Sequence, residues 1–415
     1  MRIMNVSSLY PPNVVGGAEL GLKTMSDAMS AAGHDVHVAT LAPPPGEGAP
    51  VGQDSGDVTV HAVPLANVYW PYRRGGRSPS AAMKLAWHGI DTANETMARR
   101  VARIVRRVQP DVVMTRNLQG FSTAVMPAVA RTGVPLVHVL HDYALLCPQT
   151  TLWRNGRGCG LRSARCTGCK VLTAPRRRHV EAVDAVIGVS RSVLEFHRDH
   201  GLFGGVAATV IHNALKPSLS IRERVSARAA GAPFVFGYLG RIERSKGIET
   251  LLKAAARLEA GGARFRLLVA GRGDAHYVDE LKRRWPLASV EYLGFVDAAE
   301  FLARVDTLVF PSEWLEALGN GVFEAMSQGV PVIGAASGGI PESIDDGVTG
   351  FVFPPGDVIA LSSVMRRLTI APGLRVWLGT AALKKAEHYR APRRARQYLT
   401  FLDGVIDAHR NGAAA

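Results

Sequence analysis

"FGYLGRIERSKGIETLLKAAARL", residues 236–258, runs from an apolar strand through a short charged loop into a helix with apolar residues at helical spacing. A strand that feeds straight into an amphipathic helix is half of a β-α-β unit, and such units build a parallel sheet covered on both faces. Downstream the alternation continues: "RFRLLVAG", "SVEYLGF", "TLVFPS", "PVIGAA" and "GFVFPPG" read as strands. Upstream lies an earlier series, "RIMNVSSL", "HDVHVATL", "DVVMTR", "PLVHVLHD" and "DAVIGVS", with "AELGLKTMSDAMSAAG" and an arginine-rich segment as helices between them. Residues 212–233 hold no convincing strand and separate the two series. The expected class is α/β, as two doubly wound Rossmann-like domains facing each other across a cleft. Domain 1–213, linker 214–232 and domain 233–390 follow, and residues 391–415 close the chain as a helix. Open α/β sheets bind ligands beyond the carboxyl ends of their strands, so the loops after strands are where chemistry is sought.

A chain of 415 residues is too long for one small core. Its 47% hydrophobic and 20% charged residues are ordinary for a soluble globular protein. No apolar run approaches the roughly 20 residues needed to span a bilayer. The opening "MRIMNVSSLYPP" lacks the apolar core and cleavage site of a signal peptide, so a cytoplasmic location is expected. Most of the net charge of +14 lies in the first 215 residues. In "ARRVARIVRRVQ" (98–109), Arg100, Arg103 and Arg107 recur beside Val101, Ile104, Val105 and Val108. Such a helix can lie on the anionic inner face of a membrane. The plainer reading is the solvated face of a core-packed helix. No zinc-finger, helix-turn-helix or aromatic-basic ribonucleoprotein motif supports a nucleic-acid partner.

Arg241 and Lys246 flank the loop that opens the helix in 236–258, so two cations and a helix N-terminus converge in a manner suited to a diphosphate. A second segment, "SEWLEALGNGVFEAM" (312–326), sets Glu316 and Glu324 around Gly319-Asn320-Gly321. On one helix eight steps of about 100° would leave the two carboxylates roughly 80° apart, so they would not share a face. The glycines resist a helix interior, and Asn320 is a good N-cap. Glu316 is therefore expected in a loop and Glu324 in the next helix, around an N-terminus that attracts an anion. "YPPNVVGGAEL" places Gly16 and Gly17 between the first strand and its helix. This is not the dinucleotide fingerprint. The pair is either a plain turn or a point of close backbone approach to a ligand. His141 ends a strand in "PLVHVLHDYALLCP", where it can donate to a sugar hydroxyl or to developing charge. Cys147, Cys159, Cys166 and Cys169 cluster in a segment without a strand pattern. Four thiolates there suit a structural zinc, and an iron–sulfur cluster uses the same ligands.

Taken together, "YPPNVVGGAE", "IHNAL", "GRIERSKG", "LVAGRGD", "YLGFV" and "FPSEWLEALGNGVFEAMSQGVPVIGAASGGIPESIDDGVTGFVFPPGD" resemble the retaining GT-B glycosyltransferases of family 4. The last run matches the family's E-x7-E signature, with "ALG" where many members have "PFG". The resemblance implies transfer of a sugar from a nucleoside-diphosphate donor of UDP or GDP type, with retention and with no metal at the diphosphate. It assigns Arg241 and Lys246 to the diphosphate, Glu316 to the donor sugar and Glu324 to the ribose hydroxyls. Gly319 and Asn320 then supply backbone near the phosphates, Gly16 and Gly17 the first-domain loop, and His141 the histidine beside the reacting sugar. Base recognition falls near Gly271–Asp274 and Phe295–Val296, and the C-terminal helix is expected to cross back to the first domain. A four-cysteine insertion, residues 147–170, resembles a subset of these enzymes associated with surface polysaccharide assembly, which suggests a saccharide or lipid-linked acceptor. The alternatives are a non-catalytic nucleotide-sugar or lipid-surface binding protein and a GT-B epimerase.

Overall fold

The computed structural model describes residues 1–52, 56–72, 79–154, 156–159, 161, 166–215 and 232–413. The chain divides into two compact units, one of Met1–Thr151, Gly160–Ala214 and Ala391–Ala415, the other of Leu152–Cys159 and Leu215–Arg390. Most of the expected linker, residues 216–231, lies outside the described residues.

The early strands are β1 (Arg2–Val6), β2 (Asp35–Ala42), β3 (Thr59–Pro64), β4 (Val112–Thr115), β5 (Leu136–Leu140), β6 (Trp153–Arg154), β7 (Arg157–Gly158), β8 (Ala185–Gly188) and β9 (Ala207–Val210). The later ones are β10 (Phe234–Leu239), β11 (Phe265–Ala270), β12 (Val290–Gly294), β13 (Thr307–Phe310), β14 (Val332–Ala335) and β15 (Gly350–Phe353). The first unit holds a parallel sheet in the order β3-β2-β1-β4-β5-β8-β9. The second holds another in the order β12-β11-β10-β13-β14-β15. Each chain path winds outward on one side of its first strand and then returns to wind outward on the other. The reversal falls between β1 and β4 in one sheet and between β10 and β13 in the other, and a crevice opens at such a point.

The central strands are short apolar runs buried on both faces, such as "VVMT" in β4 and "AVIG" in β8. That pattern is what helices on both sides of a parallel sheet require. In the second unit the helix Ile248–Ala260 buries Ile248, Leu251, Leu252, Ala255 and Leu258 against Phe236, Leu267, Val269 and Ile333. Each such side chain contributes about 1.5–3 kcal/mol by leaving water. Two strands absent from the sequence reading, β3 and β9, are the edges of the first sheet. Their residues are largely exposed or half-buried, so they carry no continuous apolar signal.

The C-terminal helix Ala391–Ala413 belongs to the first unit, where it packs on the helix Gly17–Ala31. His409 Nδ1 lies 3.2 Å from Asp184 Oδ1, and Arg410 reaches Asp111 at 3.6 Å. The arginine-rich helix is Glu95–Val108; it buries Met97, Ala98, Val101, Ala102, Val105 and Val108 and leaves Arg99, Arg103, Arg106 and Arg107 exposed. Its apolar stripe is thus used by the core, and only the basic face is open. The cysteine segment contains strand after all, since β6 and β7 pair as a small antiparallel hairpin. With only two residues each, these strands are too short to show a period. Among the described residues no helix is long and apolar enough to cross a membrane.

Candidate active site

In the second unit the loops after β10 and β13 leave adjacent strands at the reversal point. They are stitched together by Glu313 N and Trp314 N, which both donate to Ser245 O at 2.9 and 3.2 Å. Gly247 lets them approach: its φ is +69°, and an added Cβ would sit 1.8 Å from Pro311 O. The result brings Lys246 to Glu316. Lys246 Nζ donates to Glu316 Oε1 at 2.6 Å, with both side chains more than four-fifths buried. The same oxygen accepts from Ser312 Oγ at 2.7 Å and from Trp314 Nε1 at 2.7 Å. The ammonium also lies 4.6 Å from the Trp314 ring centroid. Three donors therefore converge on Oε1, while Oε2 takes none of these bonds.

The Glu316 backbone is held just as firmly. Gly339 N donates to Glu316 O at 2.8 Å, and a Cβ on Gly338 would come within 2.0 Å of that oxygen. Arg241 stands apart from this pair. It is well exposed and bridges to Glu243 at 3.3 Å, while its carbonyl accepts from Tyr238 Oη at 2.6 Å. Glu324 lies half-buried on the helix Asn320–Met326, so the two glutamates sit on a loop and a helix as their spacing implies. The N-cap is Gly319, not Asn320, and Asn320 is the first helical residue. The reason is conformational: the cap takes φ +84°, the left-handed region that glycine adopts without strain.

In the first unit Gly16 caps the helix Gly17–Ala31, with Gly16 N donating to Glu19 Oε2 at 2.8 Å. An added Cβ at Gly16 would meet nothing closer than 3.8 Å, so the chain itself does not demand a glycine there. His141 follows β5, next to Arg116, which follows β4. Arg116 Nη1 donates to His141 Nε2 at 2.9 Å. Burial, then the Arg116 charge, then His138 hold the His141 pKa well below the usual imidazole value. A cavity of about 30 Å³ adjoins them, lined also by Asp91, Thr123, Asp142 and Arg176. Burial raises both carboxyls to about 6, against the lowering pull of Arg176 and of a backbone N–H to each. Sequence reasoning had no signal for Arg116, Asp91 or Arg176. They are single polar residues on separate elements, and only the sheet order makes them neighbours.

Two family models account for most of the chain: "Glycosyltransferase Family 4" matches residues 15–219 and "Glycosyl transferases group 1" residues 233–370. The chain is a GT-B glycosyltransferase. The glycogen synthase of Mycobacterium tuberculosis is 29% identical, covering 96% of this chain and 90% of its own. A 42.6 kDa protein of the Klebsiella pneumoniae cps region is 27% identical over 82% of this chain and 87% of its own. Among solved structures, the sucrose-phosphate synthase of Thermosynechococcus elongatus superposes with a TM-score of 0.75 at 18% identity, covering 98% of this chain and all of its own. HepE of Anabaena in complex with UDP gives 0.70 at 19% identity, covering 97% and 100%.

Elsewhere in this GT-B glycosyltransferase the segments expected to meet a base are brought beside the β10 loop. Gly271 N donates to Gly294 O at 2.7 Å, and the Arg272 guanidinium lies 4.7 Å from the ring centroid of the exposed Phe295. Three of the four cysteines, Cys147, Cys166 and Cys169, belong to the first unit. Cys166 is the N-cap of the helix Thr167–Val180 and Cys169 lies in its first turn, while Cys147 sits in the turn after β5. Among the described residues no three His, Cys, Asp or Glu side chains gather as a metal would need.

Proposed function

We propose that this glycosyltransferase moves a sugar from a UDP- or GDP-type donor to an acceptor hydroxyl with retention of configuration, in cell-surface polysaccharide or glycolipid assembly. The observation that carries the reading is the Lys246–Glu316 pair at the strand reversal of the second unit. A buried ammonium meets a carboxylate whose Oε1 is saturated and whose Oε2 can accept from a sugar hydroxyl. The titles of the HepE structures name UDP, glucose and UDP-glucose, and the Klebsiella relative comes from a cps region; both favour this donor and setting.

As the sugar–oxygen bond breaks, its electron pair goes to the diphosphate and positive charge grows on the anomeric carbon. Arg241 and Lys246 supply fixed positive charge for the first, the kind of term that contributes most to rate enhancement. The acceptor oxygen then bonds to the anomeric carbon from the face the diphosphate leaves, and its proton goes to the departing phosphate oxygen. The roles are Glu316 for the donor sugar, Glu324 for the ribose, Gly319 and Asn320 for the phosphates, Gly16 and Gly17 for the first-domain approach and His141 for the reacting sugar. No divalent ion is assigned to the diphosphate. A lipid-linked acceptor would meet the protein at the exposed face of Arg99, Arg103, Arg106 and Arg107, an electrostatic contact with the inner membrane face.

Melting of the protein with UDP, GDP, ADP and TDP, each with and without Mg²⁺, tests the donor class. A nucleotide at about 100 times its dissociation constant adds roughly 2.7 kcal/mol. One nucleotide stabilising without Mg²⁺, with most of the gain lost in Glu324→Ala, is the expected result; four flat curves overturn the reading. Release of free nucleotide from a donor sugar separates a transferase from a mere binder. The zinc or iron–sulfur centre is a separate proposal: one equivalent of metal lost on Cys166→Ser/Cys169→Ser supports it, and a metal-free parent protein ends it.

A further inference from the structure

We infer that Arg116 fixes the tautomer of His141 and is a positioning residue of the first unit's site; the inference rests on reading His141 as a residue that faces substrate. Arg116 leaves β4 as His141 leaves the neighbouring β5, so the sheet sets their side chains together. Arg116 is only 4% exposed, yet its guanidinium forms no ion pair among the described residues. Its fork is held on three sides. Nη1 reaches His141 Nε2 at 2.9 Å, Nε reaches Asn5 Oδ1 at 3.3 Å, and the Tyr398 ring centroid lies 5.6 Å from Cζ. Nη2 finds no acceptor among the described residues.

A guanidinium can only donate, and it keeps its charge throughout the accessible pH range. Nε2 of His141 must then be the acceptor, and the ring's one proton sits on Nδ1. A fixed positive charge at 2.9 Å also opposes protonation of Nε2. The other charged or titratable groups around the pair do not reverse this. His138 on β5 is bonded to Thr115 Oγ1 at 2.9 Å and is itself held neutral, and Tyr398 comes from the C-terminal helix. Asp142, next in the chain, and Asp91, on the helix Ala81–Thr92, share the small cavity with Arg176 of the helix Thr167–Val180. Both carboxyls are raised by burial, and Arg176 lies close enough to offset their charge. His141 thus presents a neutral N–H donor at Nδ1. It can stabilise growing negative charge or hold a hydroxyl, and Nε2 is not available as a base.

Long-range ¹H–¹⁵N correlation on the full chain reads the tautomer directly, with His141→Gln identifying the ring. The expected result is an Nδ1–H ring that stays neutral from pH 8 to pH 5. Arg116→Met should let the ring titrate at higher pH and populate Nε2–H, whereas Arg116→Gln keeps an N–H donor toward Nε2 and so preserves the tautomer. With donor sugar, Arg116→Met should lower kcat about 10-fold or more while KM stays within about 3-fold, and Arg116→Gln should recover part of the loss. An Nε2–H ring in the parent protein overturns the inference even if the variants fail to fold, and so does an Arg116→Met protein with unchanged tautomer and pH response. A fully active His141→Gln with the expected tautomers refutes the substrate-facing role of His141 and leaves the Arg116 contact standing.

Discussion

Replacing Glu316 by Gln changes almost no volume and keeps an oxygen for Lys246, Ser312 and Trp314, but it removes the carboxylate charge bonded to Lys246 Nζ. The pair is worth testing because its two side chains are only 17% and 8% exposed, so neither charge is screened as a surface ion would be. A hydrogen bond to a charged group contributes about 1.5–3 kcal/mol and a neutral one about 0.5–1.5. Glu316→Gln weakens that bond and also leaves the buried ammonium without its counter-charge, so alone it should cost about 3 kcal/mol or more. Lys246→Met alone leaves the carboxylate without its cation and should cost about 3 kcal/mol or more. In the double variant neither charge is left unpaired, so the losses should not add, and the coupling should be about 1.5–3 kcal/mol. Urea melts of the four proteins give that number. The same four proteins, assayed for nucleotide release from the donor sugar, should show a loss of about 10²–10³ in kcat for Glu316→Gln. Coupling below about 0.5 kcal/mol, or turnover within a few-fold of the parent, would refute the reasoning that this buried pair organises the site.

Gly338→Ala forces a Cβ to within 2.0 Å of Glu316 O at a residue with φ +57°, so the Glu316 loop must move; nucleotide release should fall at least 10-fold while far-UV circular dichroism stays native. Asp91→Asn removes a carboxyl that burial raises to about 6. An acid whose pKa is raised on folding costs stability as pH climbs from its unfolded value of about 3.9 through its folded one, so the variant should gain about 1–3 kcal/mol at pH 7.5 and nothing near pH 3, read from melting at both values. Reversing Arg99, Arg103, Arg106 and Arg107 to Glu should abolish sedimentation with vesicles of anionic lipid, and 0.5 M salt should do the same to the parent protein, because the contact is electrostatic alone. Binding that survives both treatments would point to insertion of apolar residues instead.

The fold was readable because each central strand is a run such as "DVVMTR" or "TLVFPS", buried on both faces and followed by a helix whose apolar positions repeat at helical spacing. The edge strands of the first sheet escaped that reading, since β3 and β9 are exposed or half-buried along most of their length and need few apolar residues. The charges proposed to act in the second unit have recognisable positions in the sequence. Arg241, Lys246, Glu316 and Glu324 lie in loops or helix starts next to strand ends, and two short segments contain all four.

Sequence order by itself determined which residues leave the carboxyl ends of strands, because that depends on local periodicity and on glycine and proline punctuation. It could not determine which loops become neighbours. Sheet order did that: β13 pairs with β10 and not with β12, so Lys246 Nζ, 70 residues away in the chain, donates to Glu316 Oε1 at 2.6 Å. The same operation in the first sheet sets Arg116 against His141. Whether Asn320 or Gly319 caps the helix was likewise a tertiary decision. The turn out of β13 needs a left-handed residue at its end, and glycine reaches that conformation without a steric penalty, whatever the capping preference of its neighbour.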